Sequence, residues 1–177
     1  KFGEGRRRRL GRVCACGAQS GCAAGRSTRA LDSTMTLRQA TLEDVAAMHA
    51  LRMSVRENRL SDPLRVTEAD YVPFLAQCRA SWVAECEGRL VGFAIANLEA
   101  RSVWALFVTP DSERRGVGRA LLQRVTDALL QSGPEPISLV TEPGTRAEQL
   151  YLAAGWTRVG VEPSGEIRFE RGSPSAV

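Results

Sequence analysis

The chain has 177 residues, 44% of them apolar and 25% charged, which fits one globular domain with enough chain for a sizeable core. No run of 18 or more apolar residues occurs, which excludes a membrane-spanning helix. The formal net charge is +4, but residues 1–34 carry eight basic and two acidic residues, so the remainder stands at −2 and a nucleic-acid role would rest on the first 34 residues alone.

Residues 1–34 are Arg-rich and acid-poor, with no apolar periodicity and no hydrophobic stretch of a secretory signal. They read as an unstructured leader: translated upstream sequence, a remnant of expression, a basic arm, or a transit-like segment. Residues 35–172 read as the folded domain and 173–177 as a flexible tail. Cys14, Cys16 and Cys22 lie in the leader and Cys78 and Cys86 in the body. The odd number argues against a disulfide framework. The leader's C-x-C plus one further Cys falls short of a zinc site, so no metal is expected. Free thiols point to a reducing cytosol. Arg supplies every basic residue but Lys1, which favours a GC-rich bacterial source. A cytoplasmic bacterial protein is therefore expected.

Structure begins after Ser33. TLRQA (36–40) reads as a strand. Thr41, followed by Glu43 and Asp44, reads as the N-cap of a helix through Val45, Met48, Leu51, Met53 and Val55. Pro63 ends the connector RENRLSDP (56–63), and Thr67 caps a second helix over about 68–78. SWVAECEG and RLVGFAIANLE form a hairpin turning at Glu87-Gly88, and SVWALFVTP is the next strand. RALLQRVTDALL carries apolar residues at Leu121, Leu122, Val125, Leu129 and Leu130, one face of a helix. PISLVTEP is a strand. TRAEQLYLAAGW is a short helix closed by Gly155. A last hairpin turns around Pro163-Ser164-Gly165.

Between the strand ending at Pro110 and the following helix stands ERRGVGR (113–119). Its glycines fall in the first helical turn, where they are poor helix formers. The first N–H groups of a helix lack intrahelical partners, and the dipole adds partial positive charge there. A turn without Cβ atoms lets an anion approach, and Arg114, Arg115 and Arg119 add full charges. The plainer alternative is a tight turn with a solvated basic face. The third glycine of a dinucleotide fingerprint is replaced by Leu121, and three antiparallel-type strands precede the turn, which excludes a doubly wound fold. The G-K-[ST] of a P-loop is absent.

Two segments together resemble the GNAT superfamily of acyl-CoA N-acyltransferases. LFVTPDSERRGVGRALLQRV (106–125) is similar to its acyl-CoA-binding motif, and TRAEQLYLAAGWTRVG (145–160) to its later short-helix motif. The resemblance implies an α/β (α+β) fold: a mixed, mostly antiparallel sheet of six or seven strands flanked by about four helices, with a splay between the two central strands. It implies an acetyl-CoA-dependent N-acetyltransferase acting on a primary amine of a small molecule or peptide in a ternary complex. It also implies that the coenzyme pyrophosphate rests on Arg114, Arg115, Gly116, Val117, Gly118, Arg119 and Ala120, and its pantetheine arm along Leu106, Phe107 and Val108. Tyr151 matches the residue that protonates the departing thiolate; the alternative is a core tyrosine.

Two positions depart from the pattern. Glu113 stands where the family has Arg or Gln, and an acid there adds nothing to anion binding. Gly144 stands where Asn is frequent, which is expected to loosen the start of the helix. Glu142 is the first candidate base and Glu99 the second, each with a solvated loop acid as the alternative. His49, the single histidine, reads as a half-exposed helix residue. Arg56, Glu57 and Asn58 are candidate acceptor contacts, with turn chemistry as the alternative. A non-catalytic acyl-CoA-binding module is the rival function, disfavoured by Tyr151. A monomer or homodimer is expected.

Overall fold

The computed structural model describes residues 35–55, 66–77 and 80–172. The expected leader 1–34 and tail 173–177 therefore lie outside the described residues. Seven strands form one sheet: β1 (Met35–Gln39), β2 (Ser81–Cys86), β3 (Arg89–Asn97), β4 (Ser102–Val108), β5 (Ile137–Thr141), β6 (Thr157–Val161) and β7 (Ile167–Arg171). Among the described residues four α-helices accompany them: α1 (Val45–Ser54), α2 (Val72–Gln77), α3 (Val117–Gln131) and α4 (Arg146–Ala153). The spatial strand order is β1-β2-β3-β4-β5-β7-β6, antiparallel throughout except for β4 and β5.

The expected element order holds, with shifts at helix ends. A 3₁₀ turn at Leu42–Asp44 precedes α1, and another at Glu68–Tyr71 precedes α2. In both, the acid at the third helical position accepts from the capping threonine's N–H while that threonine's own side chain is engaged, a reciprocal cap. Val55, expected at the end of the first helix, is extended, so α1 stops at Ser54.

Strand β3 is buried from Val91 to Ala96, because helices cover both of its faces. One core packs α3 and Tyr151 of α4 against Ala84, Ala94, Val103 and Leu139. The other packs α1 and Tyr71 against Val83, Phe93, Ile95 and Ala105. Gly92 makes the first packing close. A Cβ there would lie 3.0 Å from Leu121 Cδ1, 3.1 Å from Val117 Cγ1 and 3.1 Å from the Phe107 carbonyl oxygen. The start of α3 thus lies down on the sheet beside β4.

Strand β4 has one extra residue relative to β3. Ala105 pairs with Ile95 and Val103 with Ala96, leaving Trp104 between them as a bulge. A bulge bends its strand and increases local twist. Beyond it β4 leaves β5: among the described residues the two strands form a single residue pair, Ser102 with Ser138, and the Ser138 N–H donates to the Arg101 carbonyl at 3.0 Å. Strand β5 instead pairs along its whole length with β7. The splay opens toward the C-terminal ends of β4 and β5.

Candidate active site

Two connections meet at the open end of the splay: the glycine turn after β4 and the loop 142–145 after β5. In the first, Arg114 has φ 58° and Gly116 has φ 85°, with Arg115 between them in ordinary negative φ. Alternation of this kind turns successive N–H groups toward one side and makes an anion-binding concavity. Gly116 is the N-cap of α3, so the expected placement of both glycines within the helix holds only for Gly118. The Ala120 N–H donates to the Gly116 carbonyl at 3.0 Å, which leaves the N–H groups of Val117, Gly118 and Arg119 directed out of the helix end. Arg114, Arg115 and Arg119 are exposed around them. A Cβ on Gly118 would lie 3.3 Å from Leu150 of α4 and 3.6 Å from Val108, so this glycine sits where the two sides of the opening approach.

Glu113 does more than interrupt a basic run. Its carboxylate pairs with Arg146 at the start of α4, joining the glycine turn to the segment after β5. The expected looseness at Gly144 is overturned. Gly144 adopts φ 74°, its N–H donates to Glu148 Oε2 at 2.8 Å, and the Thr145 hydroxyl accepts from the Glu148 N–H at 3.3 Å while donating to the Glu142 carbonyl at 2.9 Å. A positive-φ residue is what this cap needs, and glycine supplies it without a Cβ penalty.

Tyr151 is 4% exposed, with its ring 6.3 Å from Trp156 and 6.0 Å from Phe169. Gly155, at φ 80°, ends the helix as expected, and the Trp156 N–H donates to the Tyr151 carbonyl at 3.0 Å. Burial pushes the Tyr151 phenol well above its ordinary range, so it is protonated at neutral pH. Leu106, Phe107 and Val108 are half-buried on the part of β4 beyond the bulge, where the strand has no β5 neighbour.

The two candidate bases do not come together. Glu142 is exposed just after β5, at the open end of the splay. Glu99 is exposed in the β3–β4 turn, at the closed end, a full strand length from the glycine turn. Arg56, Glu57 and Asn58 lie outside the described residues. His49 is half-buried as expected, with its ring edge-on to Tyr71 at 5.9 Å.

On the α1 face of β4 the structure places a group that the sequence reading passed over. The Arg52 guanidinium lies 5.3 Å from the centre of the Trp104 ring and 4.9 Å from that of Phe107. Arg52 follows Met48 by four residues and shares its face of α1, so a cation on an otherwise apolar face was the available signal. A hollow of about 390 Å³ beside Trp82, Arg124 and Asp127 lies against the C-terminal half of α3, away from the glycine turn.

An anion-binding turn at the mouth of a slot between two diverging strands, with a protonated phenol on the following helix, suits a phosphorylated carrier presenting an acyl group on an extended arm. That is the class of coenzyme A-dependent acyltransferases. Residues 44–156 match the Acetyltransferase (GNAT) family, and the chain belongs to that family. It is an acyltransferase that uses acetyl-CoA for N-acetylation. The chain is 30% identical over 148 residues to an L-2,4-diaminobutyric acid acetyltransferase of Nocardia farcinica, covering 78% of this chain and 72% of that protein. It is 37% identical over 76 residues to the peptidyl-lysine N-acetyltransferase YiaC of Escherichia coli, covering 43% and 49%. Its fold matches that of the PaiA N-acetyltransferase of Thermoplasma acidophilum in complex with coenzyme A, with a TM-score of 0.67 at 12% identity, covering 79% of this chain and 99% of the other.

Proposed function

We propose that the chain carries an acetyl group from acetyl-CoA directly to a primary amine of a small molecule or peptide, with both substrates bound together. The observation that carries this reading is the concave N–H array at Arg114–Gly116 and the α3 N-terminus, standing at the open end of the β4–β5 splay. The N–H groups from Arg114 to Arg119, with the side chains of Arg114, Arg115 and Arg119, hold the pyrophosphate. The β5-facing edge of β4 at Leu106, Phe107 and Val108, whose other edge pairs with β3, receives the amides of the pantetheine arm, as a neighbouring strand would.

The amine nitrogen attacks the thioester carbonyl, a C–N bond forms, and the C–S bond breaks. The amine gives up one proton and the departing thiolate takes one. Tyr151 supplies the thiolate's proton and is restored by the proton that the nitrogen loses once the C–N bond has formed. In the same dry site a thiolate is also poorly solvated, so its affinity for a proton rises with that of the phenol. Glu142 accepts the proton from the ammonium, directly or through water. Arg56, Glu57 and Asn58 contact the acceptor. Cytoplasmic location, a bacterial source and a monomeric or homodimeric state complete the proposal. Among the described residues no helix is long and apolar enough to cross a membrane.

The test is release of free coenzyme A thiol from acetyl-CoA, followed against a panel of amino acids, diamines and lysine peptides. Turnover with at least one amine, absent when it is omitted, is expected. Tight acetyl-CoA binding with no thiol release for any amine overturns the proposal and leaves an acyl-CoA-binding module.

A further inference from the structure

Arg52 is an expensive residue in its position. Among the described residues its buried Nε and Nη1 atoms have no close hydrogen-bond partner, and the hydroxyl of Tyr71, a residue with no exposed surface, has only the Arg52 guanidinium beside it. Buried polar groups are ordinarily satisfied, and each exception asks for an explanation. The aromatic surroundings stabilise the positive charge but accept no hydrogen bond in the plane of the guanidinium. The Trp104 ring meets Tyr71 edge-on at 5.3 Å and stacks with Phe74 at 4.5 Å, so the walls are fixed by one another. Asp70 feels the charge of Arg52, yet its carboxylate is occupied by the Thr67 N–H at 2.6 Å and the Thr67 hydroxyl at 2.9 Å. The guanidinium offers donors only and carries a full positive charge, and the Tyr71 hydroxyl can donate as well as accept.

Their position gives them a use. Trp104 is the bulge at which β4 leaves β5, and Phe107 belongs to the strand segment that walls the splay. Helices α3 and α4 cover the opposite face. An acceptor approaching from the α1 side meets Arg52 beside the slot that holds the acyl arm.

We infer that Arg52, with the Tyr71 hydroxyl, binds a carboxylate of the acceptor, so that the amine substrate is a free amino acid rather than a simple amine or a lysine within a protein. This rests on the acetyltransferase reading and adds the acceptor class. A carboxylate is acceptor-only, anionic and planar, and satisfies the guanidinium and the hydroxyl together. The neighbouring amine is then delivered toward β4.

The experiment compares acceptors that differ only in the carboxylate: L-2,4-diaminobutyrate against 1,3-diaminopropane, and L-lysine against cadaverine, with a lysine peptide blocked at both ends as a third arm. Thiol release gives kcat and KM, and calorimetry on the coenzyme A-loaded protein gives acceptor binding without turnover. Expected is a KM about 10–100-fold lower for the better amino acid than for its decarboxylated partner, the range for a charged hydrogen bond. Arg52→Gln removes that preference, leaves coenzyme A affinity within a few-fold, and leaves the melting temperature equal or higher, because an unmatched buried cation has gone. Arg52→Lys keeps part of the preference. Equal KM values within both pairs, better use of the blocked peptide, or an undiminished preference in Arg52→Gln overturns the inference. Absence of thiol release with every amine is failure of the acetyltransferase reading instead. Calorimetry then still decides the carboxylate question, and equal or absent binding of both pair members overturns it.

Discussion

At the scale of single residues, burial decides chemistry. Tyr151 has its phenol held in the protonated form by a dry environment. Tyr151→Phe keeps the ring between Trp156 and Phe169 and removes the proton. Turnover is expected to fall by about 10²–10⁴-fold with coenzyme A affinity within a few-fold, read by steady-state kinetics and calorimetry. Unchanged turnover would make Tyr151 a core residue. Asp44 is the structural counterpart. Both its oxygens accept from Arg38 at 2.7 Å, and the Thr41 N–H donates to it at 2.8 Å. The Arg38 hydrogen bonds hold the Asp44 carboxyl below its ordinary value. The unfolded chain therefore binds this proton more readily than the folded one. The contribution is present in full above about pH 4 and is lost as pH falls through the folded value. Asp44→Asn should cost about 1–3 kcal/mol at pH 7 and much less near pH 2, measured by urea unfolding at the two pH values.

At the scale of elements, the start of α3 is the decisive one. Gly116 is held at φ 85°, so replacing it tests backbone strain as much as binding. Gly118 separates the two. An aspartate in the first turn suits the helix dipole and needs no positive φ, though its Cβ presses on Leu150 at 3.3 Å, so a modest loss of stability is expected. Its carboxylate would nevertheless stand where the pyrophosphate belongs. Gly118→Asp is expected to weaken acetyl-CoA binding at least about tenfold while the chain still melts cooperatively. Unchanged affinity would remove the coenzyme from this turn. The element was legible beforehand because its signals are local: two glycines, an apolar strand before them and a helical face after. The β2–β3 hairpin was legible for the same reason, and Glu87 and Gly88 both adopt positive φ at its turn. The Arg52 cluster was not, because Arg52 and Trp104 meet through packing across 52 positions of sequence. The bulge at Trp104 likewise exists only as a mismatch between two strands.

At the scale of the molecule, all the sequence periodicity lies after Ser33, and the seven-stranded sheet starts at Met35. A chain of residues 35–177 should fold alone and melt within about 2 kcal/mol of the full chain, since a larger difference would be a major share of a domain's stability. A greater loss on truncation would make the leader structural. Sedimentation of the two chains would also show whether the leader affects the oligomeric state.

The single pairing of Ser102 with Ser138 has a thermodynamic corollary. Apart from that rung, β1–β4 and β5–β7 are two separate ladders, joined otherwise by helices and side chains. A ligand amide backbone laid in the gap would act as a missing strand, tying the ladders by hydrogen bonds that the chain itself leaves unmade. Occupancy and cohesion of the sheet would then be one variable. At about 100 times its dissociation constant, coenzyme A should add about 2.7 kcal/mol to the stability of the protein. The amide protons that slow most in hydrogen exchange should be those of Leu106–Val108 and of the turn that follows, with little change in β1 or β6. A gain in melting temperature without slowing at β4 would mean that the ligand braces the molecule from outside the gap.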